Sequence, residues 1–236
     1  MSALLDIQGL QSFYGASQIL HGLNLHVAPG EQIALLGRNG MGKTTLLKSV
    51  MGLIGDRRGS IRLQGREMSK AVPETMARAG VAYVPEGRGV FGSLSVVENL
   101  IMAARPGVSG KQAWTLARVF EVFPRLAQRR MNGGHQLSGG EQQMLSIGRA
   151  LMTNPDLILI DEATEGLAPL IAQEIWKTLG VIRGEGIATI VVDKDFRSLA
   201  KIVDRMVLIS KGEVVFDGAP AALSSQPELL ERHLGV

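Results

Sequence analysis

Apolar and polar positions along the chain follow two rhythms that change places many times. Leu5-Asp6-Ile7-Gln8 and Leu23-Asn24-Leu25-His26-Val27 alternate apolar with polar, the period of half-buried strands. Ser60-Ile61-Arg62-Leu63-Gln64-Gly65 repeats that rhythm. Gln32-Ile33-Ala34-Leu35-Leu36, Val81-Ala82-Tyr83-Val84, Leu157-Ile158-Leu159-Ile160 and Ala188-Thr189-Ile190-Val191-Val192 are short, nearly continuous apolar runs. Such runs read as strands covered on both faces. Met206-Val207-Leu208-Ile209 and Glu213-Val214-Val215-Phe216, joined by Lys211-Gly212, read as a hairpin. Helical spacing falls between these strands. It predicts a helix from Lys43 into Thr45-Leu46-Leu47-Lys48-Ser49-Val50-Met51, a short one over 73–78, and further helices over 99–104, 110–123, 139–152 and 170–183. A helical tail starts at Pro227. Strands alternating with helices predict an α/β fold whose main sheet is parallel at its centre. The mostly helical stretch 86–155 sits between strands of that sheet and reads as an inserted helical subdomain. Its aromatic residues Trp114, Phe120 and Phe123 recur at helical spacing and read as core.

The chain is organised around one turn, Gly37-Arg38-Asn39-Gly40-Met41-Gly42-Lys43-Thr44. A buried strand leads in and a helix leads out, which is the context a phosphate-binding loop requires. Glycines let successive backbone N–H groups converge on an anion. The following helix, with Thr45 in its first turn, adds unpaired N–H groups and the positive end of its dipole. Lys43 supplies a cation for the outer phosphates, and the Thr44 hydroxyl can ligate magnesium. This is a nucleoside triphosphate site.

Composition narrows the setting. The chain has no cysteine, which excludes disulfides and thiolate metal sites and fits a reducing compartment. A formal charge of +3 is small and its cations are scattered, so nucleic acid is not an expected partner. The pairs Arg57-Arg58 and Arg129-Arg130 read as solvated loops. Met1-Ser2-Ala3-Leu4-Leu5-Asp6 lacks the basic start and apolar stretch of a signal peptide.

Two further constellations carry chemistry. Asp161 ends a buried strand, where a phosphate-loop enzyme places a magnesium-binding carboxylate, and Glu162 follows it. The spacing places Glu162 to orient or deprotonate a water attacking the γ-phosphate. In Leu137-Ser138-Gly139-Gly140-Glu141-Gln142-Gln143, Ser138 and Glu141 have capping-box spacing. Capping does not account for two glycines in a first helical turn, where each costs about 1 kcal/mol against alanine. Ligand approach to a helix N-terminus does.

With that stretch the sequence resembles the ATP-binding-cassette ATPases over almost its whole length. The resemblance implies a P-loop NTPase (RecA-like) cassette with an antiparallel β subdomain. A single cassette over 1–236 divides into a nucleotide-binding core (1–85 and 156–218), a helical signature subdomain (86–155) and a tail (219–236). It makes 37–44 the Walker A loop, 157–161 the Walker B strand, Glu162 the catalytic glutamate and Tyr14 the aromatic that stacks on adenine. The stretch 164–168 becomes the D-loop. ATP and Mg²⁺ are the implied ligands. Two cassettes, as a homo- or heterodimer, close head to tail, so that Ser138, Gly139 and Gly140 bind the γ-phosphate held by the partner. The inserted helices dock on integral-membrane permease subunits, with a periplasmic binding protein acting indirectly. That setting puts the chain peripherally on the cytoplasmic face of the inner membrane. Val84-Pro85-Glu86-Gly87-Arg88, Glu98-Asn99-Leu100 and Glu165-Gly166-Leu167-Ala168-Pro169 resemble the smaller ATPase of branched-chain amino acid importers, with urea and amide importers close by.

The chain departs from the family pattern at three positions. Glu86 stands at the Q-loop glutamine, where a carboxylate can still ligate magnesium. Ala168 replaces the D-loop aspartate. Lys194 replaces the switch histidine, and lysine offers only donors on a flexible stem. Lys194 and Ala168 keep a weakly hydrolysing half-site in play. A soluble cassette of the kind that works on DNA or ribosomes lacks support, since the chain has neither a coiled coil nor a second cassette. A small-molecule kinase leaves the stretch from Leu137 unexplained.

Overall fold

The alternating N-terminal stretches extend further than their rhythm alone indicates. In the computed structural model, which describes residues 3–235 and leaves Met1, Ser2 and Val236 outside the described residues, β1 (Leu5–Tyr14) pairs antiparallel with β2 (Ser17–Val27), Leu5 opposite Val27. The chain then crosses into the main sheet as β3 (Gln32–Leu36), turns, and forms α1 (Lys43–Val50). It returns as β4 (Asp56–Leu63) and β5 (Arg66–Glu67), which complete a four-stranded antiparallel sheet in the order β2-β1-β4-β5. Helix α2 (Pro73–Arg78), with proline in its first turn, leads to β6 (Val81–Val84). The helical stretch follows as α3 (Val96–Ile101), α4 (Leu116–Val122), α5 (Pro124–Gln128), a single 3-10 turn at Gly134–Gln136, and α6 (Gly139–Leu151). The remaining elements are β7 (Leu157–Ile160), α7 (Pro169–Gly184), β8 (Ala188–Val192), α8 (Phe196–Leu199), β9 (Arg205–Ser210), β10 (Glu213–Gly218), α9 (Pro220–Ser224) and α10 (Pro227–Leu234).

The second sheet runs β10-β9-β3-β8-β7-β6, parallel from β9 through β6, with β10 antiparallel at the edge. Its central strands divide their side chains between two cores with the period of two that a strand imposes. Ala34 and Leu36 face one core while Ile33 and Leu35 face the other; Ile158 and Ile160 oppose Leu157 and Leu159 in the same way. The first core lies under the helices from α3 onward. The second lies between this sheet, α1 and the antiparallel sheet. Every residue of β3, β7 and β8 is buried, as their continuous apolar character requires. Because β9, β3, β8, β7 and β6 all run parallel, the segments after β3, β6, β7 and β8 emerge along one edge of the sheet. That edge is where open α/β sheets bind ligands.

Several expected boundaries move. The capping box of Ser95 and Glu98 is present, but it opens a helix over Val96–Ile101, one turn earlier than 99–104. Helix α4 begins at Leu116 with Thr115 as its cap, not near residue 110. Asn154 is the reason: its Oδ1 accepts from the Trp114 backbone N–H (2.8 Å), and its Nδ2 donates to the carbonyls of Arg105 (2.9 Å) and Trp114 (3.2 Å). That clamp takes the main chain before Thr115 out of helical bonding. Arg57 is not a solvated loop residue. It lies in β4, half buried, and donates to the carbonyls of Ile54, Ser69 and Ala71. Among the described residues, no helix is long and apolar enough to cross a membrane.

Candidate functional site

The turn after β3 reaches α1 through Gly42, at φ 105°, a left-handed conformation that glycine adopts without the Cβ penalty. A Cβ on Gly37 would overlap the Ile209 carbonyl of neighbouring β9, so only glycine passes there. Lys43, 9% exposed, turns its ammonium back on the loop and donates to the carbonyls of Gly37 (2.7 Å) and Arg38 (2.9 Å). Burial pushes its pKa below the ordinary lysine value, with the Asp161 charge opposing that shift. Thr45 is buried two residues further on, and its carbonyl accepts from Ser49 Oγ. Arg38, Asn39 and Gly40 are exposed at the tip of the loop, and Met41 is partly buried beside them.

Asp161 follows β7 and is fully buried. Its Oδ1 accepts from Thr44 Oγ1 (3.0 Å) and its Oδ2 from the Tyr83 hydroxyl (3.1 Å). Burial raises the Asp161 pKa, the two hydrogen bonds lower it, and the charge of Glu86 raises it again. Tyr83 is likewise pushed up, first by burial and then by the Asp161 charge. A buried carboxylate bonded to a threonine hydroxyl, beside a second carboxylate and without a cationic partner in hydrogen-bond range, is a donor set that suits a hard divalent cation. Thr44, Asp161 and Glu86 therefore fit the magnesium role that the sequence suggests.

Glu162 takes φ 54°, a left-handed conformation that is uncommon outside glycine, asparagine and aspartate and that clusters at functional sites. It borders two chambers. One, of about 380 Å³, is lined by Asn39, Lys43, Glu162, Glu165, Asp193 and Lys194 among others. The other, of about 170 Å³, is lined by Glu86, Gly87, Arg88, Gln143, Glu162 and Glu165. Lys194 follows β8, exposed, and its ammonium forms an ion pair with Glu165. Asp193 accepts from both the backbone N–H and the hydroxyl of Thr164, at 2.7 Å each. The fold thus gathers the turn after β3, Glu86, Asp161, Glu162 and Lys194 along one sheet edge. Tyr14 stands at the end of β1 with its side chain half exposed. Ser138, Gly139 and Gly140 open α6 and line neither chamber.

Comparison with known proteins decides the family. The family model described as ABC transporter matches residues 20–165. The chain belongs to the ABC transporter family. As an ABC cassette it binds and hydrolyses ATP, as the ATPase subunit of a transporter. It is 38% identical over 232 residues to the high-affinity branched-chain amino acid transport ATP-binding protein BraG of Pseudomonas aeruginosa, covering 98% of this chain and 100% of that one. It is 31% identical to the lipopolysaccharide export system ATP-binding protein LptB of Acidithiobacillus ferridurans, covering 100% and 98%. An ATP-binding cassette of an ABC transporter solved in its ADP conformation superposes with a TM-score of 0.83, at 21% identity and 98% coverage of both chains. That likeness speaks for the fold alone.

The cassette also supplies a reason, at the two glycines that open α6, that needs no ligand. A Cβ on Gly139 would stand 2.8 Å from both Nη atoms of Arg88, and one on Gly140 would overlap Ile171 of α7. Gly140 is glycine at least in part because α6 packs that tightly on α7, whereas the neighbour of Gly139 is the movable end of a long side chain. Ser138 caps the helix, its backbone N–H donating to Glu141 Oε2 at 2.8 Å. Sequence reasoning missed Tyr83, Arg88 and Gln143 as neighbours of the site. Tyr83 carried a signal, as the one hydroxyl in an otherwise apolar buried strand.

Proposed function

We propose that this cassette powers a bacterial importer for branched-chain or other hydrophobic amino acids. The full-length similarity to BraG carries that reading. Lys43 and the loop amides would stabilise charge on the phosphates, and Glu162 would orient the attacking water, with Glu86 and Lys194 on either side. Tyr14 would stack on adenine. Thr44 and Asp161, with Glu86 at hand, would hold Mg²⁺, which neutralises charge on the β- and γ-phosphates. Ser138, Gly139 and Gly140 line neither chamber of their own chain. They would meet the γ-phosphate on a second cassette, so that ATP binding closes a dimer and hydrolysis reopens it. In this reading 1–85 with 156–218 forms the nucleotide-binding core, 86–155 the helical subdomain and 219–236 a tail.

A groove of about 390 Å³ supports docking of membrane subunits. It runs between Leu53, Ala77 and Tyr83 on one side and Ala103, Arg105 and Arg149 on the other. Leu53 and, beside Arg149, Phe91 are large apolar residues left exposed near it. The cassette would then sit peripherally on the cytoplasmic face of the inner membrane, with a periplasmic binding protein acting through the permeases.

Full-length similarity to LptB favours a second reading, service in lipopolysaccharide export. Reconstitution with the permease pair and binding protein separates the two. Leucine should stimulate ATP turnover in the assembled complex, and Lys43→Ala should lower turnover by at least about 100-fold. Turnover indifferent to every hydrophobic amino acid, with stimulation by lipopolysaccharide instead, would replace import by export.

A further inference from the structure

Gln143 lies on the buried face of α6, among Met144, Leu145 and Ile147, and is 3% exposed. Its Nε2 has no hydrogen-bond partner among the described residues. A buried donor without an acceptor is destabilising, and a leucine would occupy the same helical face without that penalty. The residue borders the 170 Å³ chamber that also holds Glu86, Arg88, Glu162 and Glu165. Apart from Gln143 itself, the side-chain acceptors that line that chamber are the carboxylates of Glu86, Glu162 and Glu165. Arg88, the one cation among the described residues that line it, is engaged elsewhere: its guanidinium lies against Gly139 and donates to Gln142 Oε1 at 3.3 Å. Glu162 is reached from both chambers and is held in a left-handed conformation.

We propose that Gln143 is a positioning residue for hydrolysis, its amide N–H donating to the Glu162 carboxylate once nucleotide is bound. One carboxylate oxygen is then fixed by the amide and the other faces the attacking water. The donor that the chain itself leaves unpartnered is satisfied by that contact in the state that turns over, so its cost falls outside that state. The same contact ties α6, whose N-terminus carries Ser138, to the segment after β7 within one chain. A signature helix poised for a partner's nucleotide thereby senses the water-orienting carboxylate of its own subunit.

The inference rests on Glu162 as that carboxylate, and a set of variants of the full chain keeps the two separable. Gln143→Leu should leave Tm unchanged or higher. It should lower kcat by about tenfold or more while changing KM for ATP by less than about twofold. Gln143→Met should behave alike, which guards against a packing accident at one side chain. In single-turnover assays, Gln143→Leu added to Glu162→Gln should slow the residual rate no further, because the amide acts through the group already altered. Unchanged kcat in both Gln143 variants, beside a dead Glu162→Gln, would overturn the inference and leave the Glu162 reading standing. So would a loss that tracks lowered Tm or that adds fully to Glu162→Gln. An active Glu162→Gln would overturn both.

Discussion

Lys194 is the side chain on which turnover is most open to test. Its ammonium is paired with Glu165, and its charge lies close enough to Lys43 to add to the effect of burial in lowering that residue's pKa. A histidine at the same strand end could accept as well as donate, and could bond a γ-phosphate and a water together. Lysine can only donate, and here it donates to a carboxylate. Lys194→His should therefore raise steady-state ATP turnover of the isolated chain by about tenfold, the equivalent of about 1.4 kcal/mol of barrier. An already brisk wild-type rate that the substitution leaves unchanged would show that Lys194 does not limit the reaction. At this scale the sequence was legible wherever partners are close along the chain. The turn at 37–44 and the Asp161-Glu162 pair follow from local spacing. Tyr83 on Asp161, Arg88 on Gly139 and Thr164 on Asp193 join residues far apart in sequence, and no local period announces them.

At the scale of elements, α6 is set by contacts that its capping box does not reveal. Gly140 lets α7 approach so closely that a methyl group there would occupy the place of Ile171. Gly140→Ala should destabilise the fold by about 1–3 kcal/mol, the usual cost of overpacking, as read by urea denaturation. Gly140→Ala combined with Ile171→Ala should lose less than the sum of the two single changes. Additive losses would show that the helices part without strain. The long elements were legible: β3, β7 and β8 are apolar throughout because they are covered on both faces. The misplaced start of α4 came from a tertiary clamp, Asn154 holding Trp114, which overrides helical spacing. Helices α5, α8 and α9 run only four or five residues, too few for any period to declare itself, even though Pro124 and Pro220 stand in the first turns.

For the whole molecule, the central sheet belongs to both cores, because its alternate residues serve one and then the other. Neither half can lose its packing without exposing strands that the other half needs, so thermal unfolding should appear as a single calorimetric transition. Nucleotide bound to the folded state alone should raise that transition. At a concentration of about 100 Kd the gain is about 2.7 kcal/mol, or about 5–10 °C in Tm for a chain of this size. Lys43→Ala should abolish the rise. Two separated transitions, with ATP moving only one, would mean that the cores melt independently.

The two carbonyl bonds of Lys43 carry a consequence for how fast nucleotide is taken up and released. The ammonium already sits in a cage made by its own loop, so the glycine turn is held in shape before any phosphate arrives. Capture becomes a swap of oxygen partners, with little chain left to order and few net bonds gained. Release runs the swap in reverse, the loop reclaiming its cation as the phosphate leaves. A site built this way trades tightness for reversibility, which is what a motor that must empty itself on every stroke requires.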